Sequence, residues 1–213
     1  AQGPFRAKGE VDLRQRIPRA AVAIRLERAA TGPLVKALNP GAWSLVSGLD
    51  LDARTTFQGL VWPDLLGSAS GDGALLLREG RLLDYRPLDR LSETITPFLV
   101  AQGIRVRLNE FDTVSAHYTL DKGVVRTTDF LLTKPEGTIA AAGSLSLLSG
   151  SVDFDVVARF GRTTIEAKLT GTTAQPIVVP KLGRYQQRIE RELDKILPEG
   201  RSQGLKGEPR QAA

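Results

Sequence analysis

Residues 112–160 read DTVSAHYTLDKGVVRTTDFLLTKPEGTIAAAGSLSLLSGSVDFDVVARF, and their pattern decides the fold class. Apolar and polar residues alternate in runs, which is the spacing of a strand with one covered face. Asp121-Lys122-Gly123 is a hairpin signal, Pro135-Glu136-Gly137 a second turn and Ser149-Gly150 a third. Val124 to Thr133 forms a strand between the first two. Ile139, Ala141, Gly143, Leu145 and Leu147 share one face of the next. Val152, Phe154, Val156 and Ala158 share one face of the strand after it, opposite Asp153, Asp155 and Arg159. Successive strands joined by short turns make an antiparallel meander.

The pattern extends in both directions. Ile165, Ala167 and Leu169 mark a last long strand, and residues 111–120 an earlier one. Ile104, Val106 and Leu108 alternate with Arg105, Arg107 and Asn109, which predicts a strand over 104–108. Residues 71–98, GDGALLLREGRLLDYRPLDRLSETITPF, predict a strand through Leu75 and Leu77, a turn at Glu79-Gly80 and a second short strand. An amphipathic helix over 86–98 follows, with Leu88, Leu91, Ile95 and Phe98 at helix spacing and an end near Thr96 or Pro97. Trp43 to Phe57 alternate as a long strand in which Gly48 marks a bulge or bend. Residues 60–70 read as a loop or a short helical turn around Pro63 to Leu66. Thr31 to Leu38 predict a two-turn helix with Thr31 as cap and Pro33 in its first turn. Residues 5–13 and Ala20 to Arg28 are strands parted by Ile17-Pro18. Leu182, Tyr185, Ile189, Leu193 and Ile196 predict a C-terminal amphipathic helix, ended by Pro198 and Gly200.

The expected architecture is mainly β: a curved, twisted antiparallel sheet, groove-like or partly closed, with an amphipathic helix packed on it and a helix at the C-terminal end. It forms one elongated domain over residues 1–198, divisible into halves 1–85 and 86–198. Residues 199–213 are polar and punctuated by Gly and Pro, the composition of a disordered tail.

The chain has 213 residues, 41% apolar, enough for one large domain or two small ones. It has no Cys, so disulfides, thiolate metal sites and Cys nucleophiles are excluded. The net charge of +5 sits mostly in residues 1–30, where seven basic residues face three acidic ones. Such a basic end suits a membrane surface or another anion, or is simply the solvated face of strands. No stretch approaches the ~20 apolar residues that span a bilayer.

Catalytic signals are sparse. The single His, His117, has no second His or Cys with which to share a metal, and reads as a surface residue or a satisfied partner. Asp153 and Asp155 share a strand face at ~7 Å, which suits paired carboxylates but is equally common among acids on a wet face. The Ser-rich segments lack a neighbouring base. Gly67 to Gly73 is Gly-rich but precedes a strand and carries no Lys-Ser/Thr, so it is no phosphate loop. Aromatic residues are not interleaved with basic ones, so nucleic acid is not an expected partner.

Residues 68–91, SASGDGALLLREGRLLDYRPLDRL, resemble the G-x-G-x-L-x-I-x-D/E-G-x-L-x-x-x-D-L-x-x-L signature of the AsmA-like envelope family. WSLVSGLDLDARTTFQG (43–59) is similar to the strands leading into it, residues 112–160 to a second run of that family, and TGTTAQPIVVP (170–180) to its close. One departure is that Asp84 is followed by Tyr-Arg-Pro rather than directly by Leu. The resemblance covers about residues 40–180. It implies a non-enzymatic, cofactor-free protein facing the periplasm, tied to outer-membrane biogenesis and lipid homeostasis or transport. It also implies an inner-membrane anchor in a segment outside this sequence, and envelope proteins as partners. A sheet with one apolar face must cover that face or leave an apolar trough for acyl chains. A phospholipid or other acyl-chain lipid is therefore the expected partner. It is expected against Leu75, Leu77, Leu91, Ile95, Val106, Leu108, Tyr118, Leu145, Leu147, Phe154 and Val156. The alternatives are a structural or protein-interaction domain of an envelope assembly without a lipid site, and a hydrolase built on Asp153, Asp155 and the Ser residues.

Overall fold

The computed structural model describes residues 4–14, 16–38, 43–86, 89, 96, 99–100, 103–104, 107 and 109–181. The chain divides into a unit spanning Ala1–Pro180 and a second, Lys181–Ala213, of which only Lys181 is described. The expected C-terminal helix and tail lie outside the described residues.

Within the first unit the elements run β1 (Phe5–Asp12), β2 (Arg19–Ala30), α1 (Thr31–Leu38), β3 (Ser44–Gln58), α2 (Trp62–Ser68), β4 (Ser70–Leu83) and β5 (Glu110–Asp121). They continue with β6 (Val124–Lys134), β7 (Gly137–Ser146), β8 (Val152–Phe160), β9 (Thr163–Gly171) and β10 (Pro176–Pro180). The ten strands form one antiparallel sheet in which order in space is order in the chain, with β1 and β10 as its edges. The sheet does not close on itself. This is the antiparallel meander that the alternating pattern and the short turns predict.

The turns are built as their residues demand. Asp121 pairs with Val124, leaving Lys122-Gly123 as a two-residue loop with φ of +47° and +75°. Two left-handed residues in succession make a turn whose twist matches that of the strands, and Gly123 adopts its half at no steric cost. The two short helices are connectors at the ends of strands. Thr31 does not cap α1. Its side chain is buried, donates to the Leu45 carbonyl at 2.5 Å and accepts from the Ser47 amide at 2.9 Å, fastening α1 to β3. Ser68 Oγ does the same for α2, accepting from the Gln58 amide at 2.8 Å and donating to its carbonyl at 2.6 Å.

Further sequence expectations are corrected. Glu79-Gly80 is no turn: β4 runs through it unbroken. Val46 pairs with Arg81 and Gly48 with Arg78, so Glu79 and Gly80 together oppose Ser47 in a β-bulge, with Glu79 at φ +52°. The strand expected over 104–108 is absent at its described positions, Ile104 and Arg107. Instead the Gly103 amide donates to the Val100 carbonyl and the Ile104 amide to that of Leu99, each at 2.9 Å. These bonds close a helical end: Leu99 and Val100 are helical, beyond the stop expected near Thr96 or Pro97. Finally, Pro176–Pro180 forms a strand that the sequence pattern did not announce.

The sheet is strongly curled. Tyr85, just past the end of β4, donates its hydroxyl to the Thr173 carbonyl in the turn between β9 and β10, at 2.6 Å. In a flat sheet those points would lie five strand spacings, about 24 Å, apart across the strands and about 40 Å apart along them. Only a coiled sheet brings them together. The Trp43 ring packs edge-on against Tyr85 at 5.6 Å, and burial of this junction raises the Tyr85 hydroxyl above its usual pKa.

Candidate apolar binding face

The strand registers assign every side chain to one of two faces. Leu51 pairs with Leu75 and Leu75 with Ala116; Leu49 pairs with Leu77 and Leu77 with Val114. Further along, Leu145 pairs with Val152, Phe154 with Leu169 and Leu169 with Val178. Val22, Ile24 and Leu26 continue the same face on β2. An apolar row therefore runs across the whole sheet. On this face Leu26, Ala53, Val114, Ala116, Leu120 and Ala167 are buried, and most of the larger apolar residues around them are only half-buried. No large side chain among the described residues is completely enclosed. Curling covers this face in part and leaves the opposite one, with its charged side chains, to solvent.

Of the predicted ligand-facing residues, the structure brings Leu75, Leu77, Tyr118, Leu145, Phe154 and Val156 onto this one face. Leu147 is not on it in the same way. β7 ends at Ser146, and Leu147 sits in the following turn, 37% exposed, its amide bonded to the Gly123 carbonyl. Leu91, Ile95, Val106 and Leu108 lie outside the described residues. Tyr118 owes its position to Gly73 on the neighbouring strand: a Cβ there would sit 2.5 Å from the Tyr118 hydroxyl and 2.8 Å from the Asp52 carbonyl. The phenol lies flat over that gap, and burial, helped by the Asp72 carboxylate, raises its pKa.

Sequence reasoning left out much of the face. Phe130 and Leu132 belong to it with Val125, although Val125 and Phe130 are an odd number of residues apart. β6 carries one extra residue between Thr127 and Phe130, which flips the phase of everything after it.

The opposite face carries a depression of about 920 Å³ over β2 to β6, floored by Ala74 and Leu76. It is framed by two bulges. In β2, Glu27 and Arg28 oppose Asp50, whose carboxylate accepts the Arg28 amide at 2.6 Å. In β6, the displaced Asp129 accepts the His117 amide at 2.9 Å while its other oxygen lies 2.6 Å from His117 Nδ1. These bonds, the ring contact foremost, hold the Asp129 carboxyl below its usual pKa. Arg78 pairs with Asp50 at 2.7 Å, and Arg25 with Glu27 at 3.3 Å and Asp52 at 3.9 Å. The charges are thus largely balanced within the depression, which argues for bulge-stabilising pairs rather than a charged-ligand site.

The remaining chemical candidates are similarly engaged. Lys168 lies opposite Asp155, reaches both Asp153 and Asp155, and has its own pKa raised, chiefly by Asp153. A cation between two carboxylates removes the mutual repulsion on which a shared-proton pair depends. Lys134 is buried, donates Nζ to the Arg107 carbonyl, and has its pKa lowered by desolvation. Among the described residues no group of three His, Asp or Glu could hold a metal ion.

No helix among the described residues is long and apolar enough to cross a membrane. No family model matches this sequence, and no curated protein or solved structure matches it either.

Proposed function

We propose that the chain is a non-enzymatic module of the bacterial cell envelope that holds a phospholipid, or another acyl-chain lipid, against the apolar face of its sheet. The observation that carries the reading is the face itself: apolar from β2 to β10, turned inward by the curl, and only half-buried at most of its larger apolar side chains. Each methylene withdrawn from water there contributes about 0.8 kcal/mol, so an acyl chain has ample driving force. The sheet also leaves the polar headgroup a route to solvent, because it is unclosed. A role in outer-membrane biogenesis and lipid transport, a periplasmic location and an inner-membrane anchor in the full-length protein belong to the same proposal. They rest on the AsmA-like resemblance of about residues 40–180 alone. The open edge of β1 favours a second reading, a structural or interaction domain without a lipid site.

Native mass spectrometry of the purified protein, with uptake of a fluorescent fatty acid, tests the proposal. Phospholipid should co-purify. Phe154→Asn and Leu75→Asn should each reduce uptake at least tenfold while keeping the strand signal in circular dichroism. A wild-type protein that carries no lipid and takes up no acyl chain would refute it.

A further inference from the structure

We propose that two copies of this chain join through β1, antiparallel about Gly9, into one continuous sheet of twice ten strands. The inference is independent of any ligand on the apolar face.

The backbone phase of β1 leaves an open edge. The Glu27 amide donates to the Pro4 carbonyl at 3.2 Å, and Phe5 pairs with Leu26. Residues exchanging bonds with β2 are therefore the even-numbered ones. Phe5, Ala7, Gly9 and Val11 turn both N–H and C=O away from β2, and all four are exposed. The edge at β10 is different. Thr172 and Gln175 exchange both backbone bonds, so Pro176, Val178 and Pro180 are the residues facing away from β9. Two of those three have no N–H to offer. A proline edge of this kind refuses another strand; β1 carries no such protection.

The side chains of β1 choose the partner. Arg6 and Lys8 precede Gly9, and Glu10 and Asp12 follow it, all on one face. Pairing β1 with its own copy about Gly9 sets Lys8 opposite Glu10 and Arg6 opposite Asp12, each contact occurring twice by symmetry. On the other face Phe5 meets Leu13, and Ala7 meets Val11; all but Ala7 in this set are more than 60% exposed in the single chain. This register joins outward-facing residues to outward-facing residues, as an antiparallel ladder requires. The neighbouring allowed registers bring Lys8 against Lys8 or Glu10 against Glu10. Charge thus selects one alignment, and a two-fold axis through it gives a closed, self-complementary interface. Within the single chain Lys8 and Glu10 approach only to 4.0 Å and Arg6 has no ion-pair partner among the described residues, while Asp12 accepts the Arg14 amide and Nε at 3.0 and 3.1 Å through one oxygen, which leaves its other oxygen for Arg6 of the second copy. The apolar faces of both copies end up on the same side of the joined sheet.

Sedimentation equilibrium on the full chain is the test. The wild type should show a concentration-dependent dimer. Gly9→Pro removes the outward N–H at the axis without touching the bonds to β2, and should abolish the dimer with the circular dichroism unchanged. Lys8→Glu and Glu10→Lys should each weaken self-association at least about tenfold, since like charges then face each other at two places. Mixed in equal amounts, those two variants should recover a dimer, because every charge in the mixed pair meets its opposite. A wild type that stays monomeric, a dimer indifferent to Gly9→Pro, or single variants that gain nothing on mixing would overturn the proposal.

Discussion

Asp129 is exposed, yet it completes the backbone bonding of a neighbouring strand. The bulge in β6 pulls it out of the ladder, and its carboxylate takes the His117 amide that the ladder would have served. Its lowered pKa means that the ionised form is the one the fold prefers. The resulting stability is present above the ordinary carboxylate value of 3.8 and is lost as pH falls through the lower value of the folded state. NMR titration should find Asp129 below 3.8, and His117→Gln should move it upward while leaving part of the shift, because the backbone bond survives. An unchanged titration in that variant would show that the ring contributes nothing. The role of Asp129 was not legible in the sequence. Alternation identified His117 as a strand residue but not its partner, because the extra residue in β6 hides which side Asp129 takes. Tyr118 and Gly73 show the same limit: the glycine is visible, and the ring that fills its place is fixed by register alone.

Elements were more legible than their junctions. β1, β2, β3, β5 and β7 to β9 follow the alternation closely, since a sheet with one apolar and one polar face must write period two into its sequence, whereas β6 follows it only as far as its bulge. β4 was misread at Glu79-Gly80 because a glycine after an acidic residue signals a turn and a bulge equally well. Register decides between them, and register is a property of two strands. Glu79 adopts a left-handed conformation that costs a non-glycine residue roughly 1 kcal/mol. Glu79→Gly should therefore raise stability by about 0.5–1 kcal/mol, read as a higher midpoint in urea unfolding without a change in slope. A lower midpoint would mean that the Glu79 side chain stabilises the bulge by more than its backbone strain. β10 escaped notice for another reason. A five-residue stretch with proline at both ends looks like a linker, and only pairing with β9 makes it a strand.

At the scale of the whole molecule, the sequence carried the fold class and the composition of the apolar face, but not the curl. Curvature accumulates from twist and bulges over many strands, and the bond from Tyr85 to Thr173 joins residues 88 apart. In the backbone ladder of the described residues each strand pairs only with its neighbours in the chain, which resembles the nearest-neighbour energetics of repeat proteins. In the Gly9→Pro variant, amide exchange should therefore be slowest in β4 to β6 and grow faster toward β1 and β10, with the outward Val178 amide among the quickest. Uniform protection from edge to edge would instead mark the sheet as one cooperative unit. The in-order arrangement also bears on how the protein is made. A strand leaving the ribosome finds its partner already waiting as the strand before it, so assembly can keep pace with synthesis and no late segment has to thread between earlier ones. Each addition consumes one edge and exposes the next, until β10 presents prolines and stops the process. The edge at β1 is never consumed by later strands of the sheet.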